Sequence, residues 1–282
     1  MIDETVEEIR EMRTHSSSIV AVKATRALRD LVDREFATVD EFERDLEHNA
    51  GALRRANPSH ASLHNAMREV VRSVVGRADT VESAQKILES TVDRVVDDVE
   101  TGKRQAAEQL AATFDDDETF LTHDYSSTVL EAIEEVVGPD TSLTAYVTEA
   151  RPRYLGRKTA RELAALDGIQ PHLLVDSAAG EFLPEVDRVI VGMDCIVDRT
   201  LYNRVGTFPL VATANQVDVP VTVVGSGAKI IVDGFRFENE IRSGSEVMLE
   251  PVEGIEIENP AYDATPVELI DSVITDEGRR EF

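Results

Sequence analysis

The feature that most limits what this chain can become is a change of hydrophobic period near residue 115. Before it, apolar residues return at three- and four-residue steps, the spacing of one face of an α-helix. Val20, Ala24, Ala27, Leu28 and Leu31 follow that spacing, as do Val81, Ala84, Ile87, Leu88, Val92, Val95, Val96 and Val99. Asn57-Pro58-Ser59 interrupts the pattern, and Gly76 and Gly102 suit helix ends. Beyond the acidic run Asp115-Asp116-Asp117, short apolar runs take over at Thr119–Thr122, Leu143–Thr148, His172–Asp176, Arg188–Val191 and Val221–Val224. Amphipathic stretches around 126–137, 157–166 and 207–217 separate them. Strands alternating with helices predict an α/β fold in which a mainly parallel, Rossmann-like sheet forms a three-layer domain. The expected organisation is a helical domain over 1–114 and a Rossmann-like α/β domain over 115–282.

Charge narrows the partners. The 282 residues carry 55 Asp and Glu against 29 Lys and Arg, a formal charge of −26. Direct binding of nucleic acid or of an anionic membrane needs a basic footprint, so neither is expected as a partner. Lys occurs only five times, at 23, 86, 103, 158 and 229. Acid excess with few lysines suits a halophilic protein, because concentrated salt screens repulsion between carboxylates. One cysteine, Cys195, excludes a disulfide framework and a Cys-based zinc site. His60 and His64 stand four apart but lack an acidic third ligand, so no metal is expected. No stretch reads as a membrane span or signal peptide, which predicts a cytoplasmic protein.

In a parallel α/β sheet, ligands bind beyond the carboxyl ends of the strands. The residues there are His123-Asp124-Tyr125-Ser126, Glu149-Ala150-Arg151-Pro152, Asp176-Ser177-Ala178, Gly192-Met193-Asp194 and Gly225-Ser226-Gly227. Neither a G-x-G-x-x-G after the first strand nor a P-loop is present, and no cofactor is expected. His123, Tyr125 and Ser126 open a helix and can meet a phosphate; Ser126 or Asp124 can equally serve as helix caps. Arg151, Arg153 and Arg157 suit paired hydrogen bonds to phosphate, or a solvated helix face. Asp194 can act as a general base, hold a sugar hydroxyl or form a turn. Asn203 and Arg204 can reach the same pocket, whereas Cys195 reads as a small packed residue. Against so acidic a background, Arg151, Arg153, Arg157, Arg204 and Lys229 concentrate near the strand ends, which points to an anionic small molecule.

Several of these segments fall in an order that resembles a known family. They are Thr122-His123-x-Tyr125-Ser126, Tyr146-Val147-Thr148-Glu149-x-Arg151-Pro152, Val175-Asp176-Ser177-Ala178-Ala179 and Val191-Gly192-x-Asp194. Asn203-Arg204-Val205-Gly206-Thr207 and Asn259-Pro260-x-Tyr262-Asp263-x-Thr265-Pro266 follow. The set is similar to the translation initiation factor 2B alpha/beta/delta subunits, ribose-1,5-bisphosphate isomerase and methylthioribose-1-phosphate isomerase. It spans about 118–278, and Asn57-Pro58-Ser59-x-x-Ser62-Leu63-x-Asn65-Ala66 extends it more loosely into the first half. The resemblance implies a homodimer or higher oligomer.

It also implies departures from the isomerase pattern. The isomerases use a Cys after the first strand, where this chain has Asp124, and an Asp after the fourth, matched by Asp194. Their Arg-Gly phosphate turn corresponds to Thr14-His15-Ser16-Ser17, and an Arg-Pro-Thr segment to Asn57-Pro58-Ser59. Two expectations follow. The first is an initiation-factor-2B-like subunit with a regulatory sugar-phosphate or nucleotide pocket, lacking the usual isomerase chemistry. The alternative is an aldose–ketose isomerase of a phosphorylated pentose, with Asp124 and Asp194 as the catalytic pair. His123, Tyr125, Ser126, Arg151, Asn203, Arg204 and Lys229 are then the expected substrate-binding residues.

Overall fold

Along the central strands of the C-terminal half, successive side chains enter opposite cores. Leu121, Val189, Val191, Val221, Val223 and Val273 join one buried cluster with Leu210, Val211 and Ala214. Their neighbours Phe120, Ile190, Val224 and Ile274 join another with Val129, Ile133 and Leu163. Strands buried on both faces need helices on both faces, so these runs specify three layers.

The computed structural model describes residues 2–11, 17–231, 235–250 and 252–281. It divides into two compact units, Met1–Gly102 and Lys103–Phe282. The division lies inside a long helix rather than at the acidic run, because Ala106, Ala107 and Leu110 at the end of that helix pack into the α/β core.

The first unit holds α1 (Ile2–Arg10), α2 (Ser17–Ala27), α3 (Val39–Ala56), α4 (Ala61–Val74) and most of α5 (Val81–Ala111). Thr38 starts α3 by accepting from the Glu41 N–H, while the Glu41 carboxylate accepts from the Ala37 N–H. Phe42, Leu46 and Leu53 of α3 pack with Leu63, Met67 and Val70 of α4 and with Leu88 and Val92 of α5. Asn57 leaves α3 in an extended conformation, and its side chain accepts from the Ser59 N–H.

Burial first, then the positive charges of Arg54 and Arg68, lower the His64 imidazole to about 4. The unfolded chain therefore binds a proton between 6.5 and about 4 that the folded chain excludes. Stability contributed by neutral His64 is expected to be full above 6.5 and to decline as pH falls through this window. Urea midpoints measured from pH 7 to 4 should show that slope, and His64→Gln should flatten it.

The second unit continues with β1 (Thr119–His123), α6 (Ser127–Val136), β2 (Leu143–Thr148), α7 (Gly156–Leu163), β3 (Ile169–Leu174) and α8 (Ala179–Phe182). Next come β4 (Arg188–Gly192), β5 (Cys195–Val197), β6 (Thr200–Arg204), α9 (Thr207–Gln216), β7 (Val221–Val224) and β8 (Ile230–Ile231). It closes with β9 (Tyr262–Pro266), β10 (Ser272–Thr275) and β11 (Gly278–Arg280). Among the described residues the main sheet has seven strands in the order β11-β10-β7-β4-β1-β2-β3, and all but β11 run parallel.

The expected strand at His172–Asp176 is displaced: β3 begins at Ile169, where its pairing with Leu143 of β2 starts. A second sheet, β8-β5-β6-β9, has no counterpart among the expected strands. Asn203 and Arg204 lie at the end of its strand β6, which leads into α9. The β5–β6 hairpin turns at Asp198 and Arg199, both with positive φ, 48° and 60°. Such a turn favours Asn-Gly or Asp-Gly, so its sequence carried no hairpin signal. Among the described residues no helix is long and apolar enough to cross a membrane.

Candidate active site

In the main sheet, β1 leads to β2 and β3 on one side, while β4, β7 and β10 extend on the other. The crevice past the ends of β1 and β4 is therefore the topological switch point, where α/β folds bind ligands. Asp124 follows β1 and Asp194 follows β4. The second sheet delivers Arg204 to the same place: its Nε lies 3.7 Å from Asp124 Oδ2 and 3.9 Å from Asp194 Oδ2. All three side chains are buried.

The backbone fixes this cluster. Asp124 adopts φ 63°, a left-handed conformation that Asp tolerates better than most residues. The Thr159 hydroxyl donates to its carbonyl at 2.7 Å. The Asp194 N–H donates to the Tyr202 carbonyl at 3.1 Å, tying the end of β4 to β6. Burial raises the Asp124 carboxyl toward its protonated form, against Arg204, His123 and a hydrogen bond from the Tyr125 backbone; Asp194 adds a smaller push upward. Burial disfavours charge on Arg204, but Tyr262, Asp194, Asp124 and Glu240 outweigh it and hold the guanidinium above its ordinary value. Among the described residues, the buried Nη1 of Arg204 and the buried hydroxyl of Tyr262 have no hydrogen-bond partner. The Arg204 guanidinium also lies over the Tyr262 ring, 4.8 Å from its centre.

Other expected residues take different places. Both His123 ring nitrogens are engaged, Nδ1 with Thr148 Oγ1 at 2.7 Å and Nε2 with the Val205 carbonyl at 2.9 Å. The ring braces β1 against β2 and the β6–α9 turn instead of offering a free nitrogen to a ligand. Ser126 caps α6 by accepting from the Val129 N–H. Tyr125 stacks under Lys158, whose Nζ is 3.7 Å from the ring centre. Asn203 donates to Thr207 Oγ1 at 3.1 Å and so helps hold the β6–α9 turn. Lys229 is buried and donates to the Met193 carbonyl at 2.8 Å, beside Asp194. Burial lowers its ammonium, although the Asp194 charge opposes the shift. Cys195 is buried, and burial pushes its thiol up, consistent with a packed, unreactive group.

A small cleft opens beside Asp124 and Arg204. Arg151, Arg153 and Arg242 line it, with Asn259, Pro260 and Ala261. Asp176 shapes one wall by accepting from the Ala150 and Arg151 N–H groups, each at 2.7 Å. Arg157 turns away: it donates twice to Glu149 and lies 3.8 Å from the Tyr154 ring centre. Arg242 and Tyr262 escaped the reading of the residues as site candidates, because neither follows an expected parallel strand. Arg242 is instead brought in by the isolated bridge between Ile241 and Pro260 and by its N–H bond to the Asn259 carbonyl. Thr14, His15 and Ser16 of the expected phosphate-turn segment lie outside the described residues. Among the described residues no group of three or more His, Cys, Asp or Glu could hold a metal ion.

Comparison with known proteins places this geometry. The chain is 30% identical to the ribose 1,5-bisphosphate isomerase of Haloferax volcanii over 284 residues, covering 98% of this chain and 87% of that protein. It is 28% identical to the methylthioribose-1-phosphate isomerase of Bacillus cereus, over 98% of this chain and 84% of that one. The crystal structure of a Pyrococcus horikoshii translation initiation factor eIF-2B matches with a TM-score of 0.82 at 25% identity, covering 99% of this chain and 96% of that one. The pattern of the Initiation factor 2 subunit family matches residues 13–281, and the chain belongs to that family.

Proposed function

We propose that this protein is an aldose–ketose isomerase acting on a phosphorylated pentose. The observation that carries the reading is the buried Asp124–Arg204–Asp194 cluster, of which Asp124 and Arg204 line an arginine-rich cleft at the switch point of the sheet. Relatives named ribose 1,5-bisphosphate isomerase, at about 30% identity and nearly full coverage, support it over the non-catalytic subunit expected first. An assembly of two or more copies belongs to the same proposal.

Isomerisation of a C1-phosphorylated ribofuranose needs two proton carriers. Asp194 takes the proton from C2; the electron pair of that bond forms C1=C2 as the C1 bond to the ring oxygen breaks. Protonated Asp124 gives its proton to the departing ring oxygen. The C2 hydroxyl then returns a proton to Asp124 as C2=O forms, and Asp194 returns one to C1. Both carboxyl groups end as they began. Burial suits Asp124 to the acid role, which a buried carboxylic acid can fill in place of a thiol. Arg204 holds the two carboxyl groups in register and stabilises negative charge developing on oxygen.

The test is direct. Purified protein in concentrated salt should convert ribose 1,5-bisphosphate to the ketose. Failure to convert this or any phosphorylated pentose, with a sugar phosphate or nucleoside monophosphate still raising Tm, would return the chain to the regulatory-subunit reading.

A further inference from the structure

The two buried donors left without an acceptor among the described residues, Arg204 Nη1 and the Tyr262 hydroxyl, belong to neighbouring side chains. Their residues are 8% and 2% exposed. β6 and β9 pair antiparallel with Arg204 directly opposite Tyr262, so both side chains leave the same face of the second sheet. The Tyr262 ring is fixed in place: it meets Phe237 edge-on at 5.3 Å, and Phe237 stacks on Tyr202 at 3.9 Å. The Asn239 side chain accepts from the Tyr262 N–H at 3.2 Å and donates to its carbonyl at 2.8 Å. A buried hydroxyl with no acceptor is destabilising, and phenylalanine would fill nearly the same volume without that penalty. Burial raises the phenol against the Arg204 cation, with Asp194 and Glu240 adding to the shift, so the group stays protonated and can donate. The cleft reaches Arg204 and Ala261, the residue before Tyr262.

Resting on the isomerase reading, we propose that Tyr262 is a further catalytic residue, whose hydroxyl and Arg204 Nη1 together donate to the substrate oxygen on C2. Arg204 thus divides its work: Nε faces the two carboxyl groups, and Nη1 faces the sugar. Asp194 acts at the same carbon, and its N–H bond to the Tyr202 carbonyl ties it to the strand that carries Arg204. As Asp124 takes the C2 hydroxyl proton and C2=O forms, negative charge builds on this oxygen, and donors already in place stabilise it. Tyr262 keeps its own proton throughout.

Tyr262→Phe keeps the ring and removes the donor. In the full chain it is expected to lower kcat for ribose 1,5-bisphosphate by about 10²-fold, the usual effect of losing one such donor, with KM within about 10-fold. Its guanidinium unfolding midpoint should hold or rise, because a buried hydroxyl without an acceptor is gone. Tyr146→Phe, whose lost hydroxyl donates to exposed Glu185, should leave kcat unchanged. A second measurement needs no variant. In titration calorimetry, 2-deoxyribose 1,5-bisphosphate, which lacks the C2 oxygen, should bind the unaltered protein at least about 10-fold more weakly than ribose 1,5-bisphosphate. An unchanged kcat in Tyr262→Phe, a lowered unfolding midpoint in that variant, or equal affinity for the deoxy compound would each overturn the assignment. Conversion by the unaltered protein would in those cases leave the isomerase reading intact. No conversion, with the deoxy compound still bound more weakly, would remove the isomerase reading and the catalytic role while leaving the two donors as a binding site.

Discussion

Asp194→Asn is expected to cut kcat for the aldose–ketose conversion by about 10²–10⁴-fold, the usual contribution of a positioned proton-transfer group. The amide keeps the shape of the side chain and can still face Arg204, so the loss should fall on kcat with little change in affinity. Asp124→Asn should be similarly damaging, because an amide can donate a hydrogen bond but cannot surrender and recover a proton. The two substitutions differ in their effect on folding. Burial raises Asp124, so between its ordinary 3.8 and its raised value the folded chain keeps a proton that the unfolded chain releases. Stability from this group is present below 3.8 and declines as pH rises through the folded value. Asp124→Asn should remove that decline while sharply lowering turnover, so a stability profile and a rate measurement together separate the roles. Asp124→Cys restores the thiol that the resemblance implies for the isomerases, and should retain more turnover than Asp124→Asn.

Gly156→Ala should have the largest effect on stability. A Cβ at this first residue of α7 would stand 1.8 Å from the Thr148 carbonyl oxygen and 3.0 Å from the Glu149 carbonyl carbon. Both are backbone atoms at the end of β2, so no side chain can swing aside to make room. Either α7 lifts or the β2 end shifts, and the turn carrying Arg151 and Arg153 moves with it. A loss of about 3 kcal/mol or more in guanidinium unfolding is expected, beyond the common range for overpacking. Gly138→Ala is the control: its added Cβ meets nothing within 4 Å, so stability should stay within about 0.5 kcal/mol. Where Gly156→Ala still folds, its affinity for sugar phosphate should fall as well.

The change of period near residue 115 carried the architecture because it reports burial directly. Helical steps in the first unit mark one buried face, and the short apolar runs of the second mark strands covered on both sides. Asp124 and Asp194 were legible for a related reason: position after a parallel strand is a local property, and topology then brings such positions together. The second sheet was not legible. Its turn at Asp198 and Arg199 lacks glycine, and β8 is two residues long. Partner choice was also hidden. Arg153 and Arg157 look alike in sequence, but only the fold shows that Arg157 pairs with Glu149 and that Arg153 lines the cleft. His123 reads as a ligand until Thr148, on the neighbouring strand, and the Val205 carbonyl claim its two nitrogens.

The measurement that tests the central claim most directly follows ribose 1,5-bisphosphate by NMR in deuterated, high-salt buffer with the unaltered protein. The Asp124–Asp194 mechanism predicts a ketose carrying deuterium at C1, delivered by Asp194 after exchange with solvent, and its formation about 10²–10⁴-fold more slowly with Asp194→Asn. An aldose that binds yet remains unconverted, or equal conversion by Asp194→Asn, would contradict it.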